Sequence, residues 1–487
     1  MPKNVVIVVG DVMLDELILG EATRISPEAP VPVVTERSTT LQAGGAANVA
    51  ANIAALGNNV LLFGATGDDS DFERLSTCVA HCAGVRWLFD KALGATTIRK
   101  TRIICNGQQL LRIDREDSPS KFVQSSQAVF TSVSAVLHDD SVRVVLLVIS
   151  DYAKGTLDYA AVSQILDLAR QKAIPVMVDT KPANVAWFKG ASLLKINLRE
   201  ALETCDAARI VHPALFGIDA VDAASTAAHS IRRMGDFGAV IVTCGSDGAV
   251  CCDGSDTWHQ PAVRQAVFDV CGAGDTFLAA VVDAYLHGST LRQAVEVAVS
   301  AAACAVSHLG TFVLTRDVLD AMLTKQCGKI VNLELAVRCV WHQRAIGRRV
   351  VMTNGKFRLL HHGHLASLQW AKEQGDFLVV AVNSNNSIKA LTVGLPEYKQ
   401  VCLPEATRAQ MIAQQACVDL VVVFDDPSVE QTVRAIQPDI LVKGAQYRDT
   451  HIPGADFVAS RGGVVRFAPM VDGVSVTGLL RAKSEET

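Results

Sequence analysis

The sequence predicts an α/β fold built as two successive units. Short β-branched runs end in polar turns, amphipathic stretches of helical spacing separate them, and a second such series begins near residue 350. Runs that are apolar on both faces belong in a mostly parallel sheet covered by helices, where ligands collect at the carboxyl ends of the strands. The chain has 487 residues, 49% hydrophobic and 20% charged, which is ordinary globular usage with room for more than one core. A formal charge of -5 shows no whole-chain basic footprint, so nucleic acid is not an expected partner. The 13 cysteines form neither a zinc pattern nor a disulfide framework, and reduced buried thiols are expected. Mean hydropathy is +0.26, yet every apolar stretch breaks before the roughly 18 residues a spanning helix needs. A cytoplasmic protein without a membrane partner is expected.

The elements follow in order. Residues 5–9 read as a first strand that reaches Gly10 and Asp11 without a cleavage-site pattern. Residues 144–149, 176–178 and 239–242 read as further strands of the first unit, which extends over 1–316. Residues 316–349 have helical spacing and a basic patch at Arg344, Arg348 and Arg349, and 317–347 reads as a linker. The second unit, 348–487, opens with a strand at 350–352 and continues through runs at 378–382, 420–424 and 440–442.

In the first unit, Asp269-Val270-Cys271-Gly272-Ala273-Gly274-Asp275-Thr276 precedes an apolar helical stretch. Free N–H groups at such a loop-to-helix junction can hold an anion, and a carboxylate there can accept a proton, which makes Asp275 the candidate general base. An ordinary helix cap is the alternative for this octapeptide alone. Gly44, Gly45 and Asn48 open a small-residue helix that would face a polyhydroxylated ligand. Asp11, directly after the first strand, can bond sugar hydroxyls or cap a turn. Asn197 and Glu200 follow another short strand, where such a pair can order Mg²⁺-bound water around nucleotide phosphates.

Together these segments resemble the ribokinase-like carbohydrate kinases. Within that family, 10–20 (GDVMLDELILG), 24–34 (RISPEAPVPVV), 43–57 (AGGAANVAANIAALG), 108–114 (QQLLRID), 150–155 (SDYAKG) and 269–276 resemble the heptose 7-phosphate kinases. The resemblance implies transfer of the ATP γ-phosphate to the anomeric hydroxyl of a heptose 7-phosphate, with Asp275 as base. It implies an anion hole of Gly272, Ala273 and Gly274, sugar contacts from Asp11, Gly44, Gly45 and Asn48, Mg²⁺-ATP served by Asn197 and Glu200, and Thr243 and Gly245 beside the nucleotide. Lys181, in Asp179-Thr180-Lys181, is a candidate phosphate contact or a solvated lysine. Cys271 reads as a packing residue, because phosphoryl transfer needs no nucleophilic thiol. Kinases of this family pair through strands projecting from the main sheet, so a homodimer through stretches 12–20 and 31–36 is expected.

In the second unit, Thr353-Asn354-Gly355 follows a strand, and His361 and His364 flank Gly363 at the start of a helical stretch. Both imidazoles can meet one phosphate there; zinc binding or a structural cluster are the alternatives. Residues 353–385 resemble the H-x-G-H nucleotidyltransferases, nearest the adenylyltransferase half of bifunctional heptose enzymes, and ILVKGAQY (440–447) continues the likeness. The implied reaction joins heptose 1-phosphate to the adenylyl group of ATP with release of pyrophosphate. His361 and His364 would stabilise the transition state, Lys389 and Arg408 would hold triphosphate charge, and Thr353, Asn354, Gly355 and Lys443 would shape the nucleotide pocket. This half departs from the family pattern: Arg358 stands for Asp, Asn385 for Asp, Gln446 for Asp, and 475–478 reads Ser-Val-Thr-Gly for Ser-Thr-Thr-Asn. The alternative reading is a sugar-phosphate kinase whose second domain has changed substrate or become a regulatory module.

Overall fold

A computed structural model describes residues 4–105, 107–208, 219–326, 328–345, 347–393 and 402–469. The chain folds as two units, Met1–Leu319 and Asp320–Thr487. The first is organised on a nine-stranded sheet in the order Thr257–Gln260, Ala249–Cys252, Ala239–Thr243, Leu193–Asn197, Val176–Asp179, Arg143–Ser150, Asn4–Gly10, Val60–Thr66, Val85–Lys91. All neighbours run parallel except the first two pairs, a meander at one edge. Ile7, Val9, Leu147, Ile149 and Val178 pack against helices Val123–Leu137, Tyr159–Gln171, Leu198–Ala207 and Ala220–Gly235. Helix Ala46–Ala55 lies on strands Asn4–Gly10 and Val60–Thr66, and helix Ala273–Leu286 packs beside it. Its sequence, AANVAANIAA, has side chains small enough to let the two helices approach closely.

Strand Asn4–Gly10 lies between strands reached by connections on opposite sides, so the crevice at its carboxyl end is where an open α/β sheet binds ligand. A four-stranded sheet of Pro32–Gly45, Val12–Ile25, Arg99–Cys105 and Gln108–Arg115 rises from this end. Buried Asp71 accepts from Arg99 and Arg115 at 3.2 and 2.8 Å, which ties the small sheet to helix Ser70–Ala80. Strands 99–105 and 108–115 are not evident from the sequence pattern, because their charged residues interrupt the apolar alternation.

The second unit has an all-parallel six-stranded sheet in the order Ile330–Val331, Leu420–Phe424, Phe377–Asn383, Val350–Gly355, Ile440–Gly444, Val464–Ala468. The linker expected over 317–347 is corrected here. Ile330–Val331 is the edge strand, and Ala336, Cys339 and Val340 of helix Leu333–Ala345 enter the core. A two-residue strand is too short to read from sequence. No helix among the described residues is long and apolar enough to cross a membrane.

Arg408 anchors helix Glu405–Ala413 from inside. It is 1% exposed and donates to the carbonyls of Leu403, Lys356 and Asn383 at 2.8, 2.8 and 2.6 Å, and to Asn385 Oδ1 at 3.0 Å. Those bonds tie the chain after strand Val350–Gly355 to the end of strand Phe377–Asn383. Replacing Arg408 with Met strands three carbonyls and should cost about 3 kcal/mol. Calorimetry on Arg408→Met should show the second unit melting several degrees lower, and an unchanged transition would refute the anchor.

Candidate active sites

The first site forms where the Gly-rich loop meets helix Ala273–Leu286. Gly272 caps the helix at φ +72°, and a Cβ there would stand 2.8 Å from the Asn48 amide. At Gly274 a Cβ would stand 2.6 Å from Lys195 Nζ and would push the ammonium from its place beside the backbone where an anion can approach. Asp275, in the first turn and 5% exposed, accepts from Asn48 Nδ2 through Oδ2 and from the Tyr152 hydroxyl through Oδ1, both at 2.8 Å. Burial pushes its pKa up to about 6, against the pull of the Asn48 and Tyr152 hydrogen bonds; Asp179 adds to the rise and Lys195 opposes it. A carboxylate tuned close to neutrality suits a general base. Cys271 is pushed up to about 12 by burial and by Asp15, so it is a thiol and no nucleophile.

Beside the loop lies a cavity of about 680 Å³ lined by Thr243, Gly245, His259, Ala273, Gly274 and Phe277, among others. The structure thus brings the expected nucleotide residues Thr243 and Gly245 to the same hollow as the anion loop. Gly44 and Gly45 end strand Pro32–Gly45, with Gly44 against the carboxylate of Asp15.

Several expected contacts take other partners. Asp11 was expected at sugar hydroxyls, but it is 1% exposed, and its two oxygens accept the backbone N–H groups of Tyr152, Lys154 and Thr156 at 2.7, 3.0 and 3.1 Å. Asn48, expected to face the sugar, is fully buried: its amide donates to Asp275, and its oxygen accepts from Asn52 at 3.0 Å. Asn197 and Glu200 form a capping box at the start of helix Leu198–Ala207, and Glu200 also accepts from Lys181 at 2.5 Å. Lys181 therefore sits at the carboxylate expected beside the nucleotide, with its ammonium 4.9 Å from the centre of the Tyr152 ring.

Four residues escaped the sequence reading. Asp15 lies on strand Val12–Ile25, 7% exposed, and accepts from Arg102 at 2.6 Å. Lys195 lies on strand Leu193–Asn197 and donates to Asp179 at 2.6 Å. Burial works against its charge, but Asp179 and then Asp275 hold its pKa above the ordinary value. Tyr152 and Lys100 complete the set, the Lys100 ammonium standing 5.4 Å from the Tyr152 ring centre. The available signal was a polar residue inside an apolar strand, as in VMLDELIL and LLKIN.

The second site lies at the carboxyl ends of strands Val350–Gly355 and Ile440–Gly444. Thr353 donates to the carbonyl of Val442 at 3.1 Å, and Lys443 donates to Asn354 Oδ1. Burial pulls the Lys443 pKa down to about 8. His361 is the N-cap of helix His362–Lys372 and stacks on His364 with ring centres 3.9 Å apart. Phe357, held at φ +42°, meets His364 edge-on at 5.2 Å. Burial lowers the His361 pKa; burial and then His361 lower His364 to about 4, so both rings are neutral at pH 7. The Nδ1 atom of each is buried without a hydrogen-bond partner. Both rings stand at a helix N-terminus, a place that favours phosphate oxygens.

Lys389 is exposed on helix Asn385–Thr392, which starts at the same end of the sheet. Arg408, expected at the triphosphate, instead spends its guanidinium on carbonyl groups and Asn385. Gln446 folds over Gly444. The altered segment 475–478, like residues 394–401, lies outside the described residues.

Comparison with known proteins assigns a family to each unit. Residues 3–315 match the pfkB family of carbohydrate kinases, and residues 352–467 match the cytidylyltransferase-like family. The bifunctional protein HldE of Methylobacillus flagellatus is 36% identical, covering 98% of this chain and 95% of its own. The bifunctional protein HldE of Azorhizobium caulinodans is 38% identical, with 97% of each chain covered. Among solved structures, phosphofructokinase-2 from Escherichia coli, in complex with substrates and products, shares the fold at a TM-score of 0.53 and 19% identity, over 66% of this chain and 99% of its own. A carbohydrate kinase from Agrobacterium tumefaciens does so at 0.50 and 21%, over 66% and 97%. The chain belongs to the HldE family and is a bifunctional enzyme, a carbohydrate kinase followed by a nucleotidyltransferase.

Proposed function

We propose that the first unit transfers the γ-phosphate of ATP to the anomeric hydroxyl of a heptose 7-phosphate, and that the second joins heptose 1-phosphate to the adenylyl group of ATP, making ADP-heptose and pyrophosphate. The observation that carries the first reaction is the buried Asp275 carboxylate at the mouth of an anion-binding helix start, beside a cavity large enough for a nucleotide. Asp275 takes the proton of the anomeric hydroxyl while that oxygen forms a bond to the γ-phosphorus and the bond to ADP breaks. The N–H groups of Gly272 to Gly274 and the helix dipole meet the charge on the transferring group. The ammonium of Lys195, over Gly274, adds a cation at the same place.

Mg²⁺ keeps most of its waters and is held chiefly by nucleotide phosphates with one or two carboxylates. Glu200 and Asp179, each paired with a lysine, are the groups on this side of the site that suit it. When bound, it neutralises phosphate charge.

In the second unit, a sugar phosphate oxygen attacks the α-phosphorus and pyrophosphate departs. His361 and His364, neutral at the start of the helix, bond the α-phosphate oxygens, while Lys443 meets the triphosphate. A phosphatase must act between the two reactions, because the first product carries a 7-phosphate that the second acceptor lacks. We place the enzyme in the cytoplasm with its ATP. We also infer a homodimer through the four-stranded sheet, whose outer end exposes Ile25 and, in the turn between its first two strands, Val31.

Phosphorus NMR of the full chain with Mg²⁺-ATP tests both halves. Asp275→Asn should cut sugar 7-phosphate phosphorylation about 10³-fold and leave pyrophosphate release from heptose 1-phosphate intact. His364→Ala should do the reverse, with a loss of about 10²-fold. If the unaltered chain releases no pyrophosphate from heptose 1-phosphate, the second unit takes another substrate or is a regulatory module.

The pH dependences differ in sign. Kinase activity should fall as pH drops through about 6, where Asp275 gains the proton that stops it acting as a base. In the second reaction the KM for ATP should rise as pH climbs through about 8, where Lys443 loses its charge. Profiles of both reactions on one preparation would show these limbs, and coincident profiles would contradict the assignment.

A further inference from the structure

The loop that follows strand Arg143–Ser150 is held more tightly than a surface turn requires. Three alternate N–H groups, of Tyr152, Lys154 and Thr156, converge on the buried carboxylate of Asp11. Asp151, also buried, accepts from Thr180 at 2.5 Å, Asn184 at 2.8 Å and the Ala153 N–H at 2.9 Å. Within this frame Ala153 sits at φ +57°, a conformation that costs an L-residue about 1–2 kcal/mol. Strain kept in an over-determined loop points to something the loop must present. What it presents is the Tyr152 hydroxyl, 2.8 Å from Asp275 Oδ1.

We propose that Tyr152 is the positioning residue of the kinase base, donating its phenolic hydrogen to Asp275 so that the carboxylate is fixed between Tyr152 and Asn48 in the orientation that receives the sugar proton. This deepens the kinase reading above and rests on it for the identity of the substrate. The phenol keeps its own proton throughout. Burial and the neighbouring charge of Asp275 hold the Tyr152 pKa well above its ordinary value, so it serves as a donor and not as a base.

The charged groups around the pair are defined. Asp179 and Lys195 face Asp275 from the adjacent strands, with Cys271 from the Gly-rich loop. Asp15 and Asp179 act on Tyr152, and the ammonium groups of Lys100 and Lys181 lie over its ring. A hydrogen bond to the ionised carboxylate favours the ionised form, so losing it should move the Asp275 titration to higher pH.

The test is a carboxyl-¹³C aspartate titration of the full chain by NMR, with Asp275 assigned from the spectrum of Asp275→Asn. Tyr152→Phe keeps the ring and removes the hydroxyl. The Asp275 midpoint should rise by about one pH unit, and kcat for the sugar phosphate at pH 8 should fall about tenfold. Replacing the five tyrosines with 3-fluorotyrosine makes each phenol a stronger donor, leaves the fold unchanged, and should move the midpoint the opposite way. Opposite shifts would not arise from packing.

An unmoved midpoint in both preparations would overturn the proposal. If Tyr152→Phe does not fold, the fluorotyrosine titration decides alone. An unaltered chain that fails to phosphorylate any sugar 7-phosphate would overturn the kinase reading and leave the titration result standing.

Discussion

A carboxylate buried beside a cradle for phosphate is the constraint around which the first unit is arranged. An ionised Asp275 with no partner could not persist at 5% exposure, so the fold must surround it with donors and cations. Asn48 comes from helix Ala46–Ala55, Tyr152 from the loop after strand Arg143–Ser150, and Lys195 from strand Leu193–Asn197. Each needs support of its own. Asn52 holds Asn48 and reaches the backbone at Phe312 and Leu314, while Asp11 and Asp151 hold the Tyr152 loop. Much of the buried polar network near the central strand therefore serves one carboxylate.

The second unit solves the opposite problem. Its site must receive negative charge, and it offers neutral imidazoles, a helix start and a desolvated lysine. Arg358, Asn385 and Gln446 stand where the resemblance leads one to expect carboxylates, which shifts this site further toward cations and amides. The histidines keep their place because Phe357, in a left-handed conformation, turns the chain and packs against His364. One half offers a buried carboxylate, the other neutral imidazoles and a desolvated lysine, which is why opposite pH dependences are proposed for them.

Much of this was legible in the sequence, and the remainder has physical reasons. Apolar β-branched runs marked the main strands because both faces of a parallel sheet are buried, and the Gly-rich loop marked Asp275 only in company with the other kinase-like segments, since glycine and aspartate at a helix start also serve as ordinary caps. Partnership was harder to read. Asp11, Asn48 and Asn197 are polar residues in motifs, and their types do not reveal whether they face a ligand or another part of the chain; the structure shows all three bonded to protein. Arg408 looked like a free cation but is enclosed by carbonyl groups from chain segments that sequence does not bring together. Tyr152 lies in the matched segment 150–155 but carries no charge, so only its distance to Asp275 reveals its part. The edge strand Ile330–Val331 is too short to produce a period.

Whether the first unit directs phosphorus onto an anomeric oxygen activated by Asp275 is tested most directly with heptose 7-phosphate carrying ¹⁸O at the anomeric position, followed by phosphorus NMR of the product. The label should stay in the bridge between C1 and the new phosphorus, seen as an isotope shift on the anomeric phosphate signal. A new phosphate ester without that shift, or one at another carbon, would contradict it.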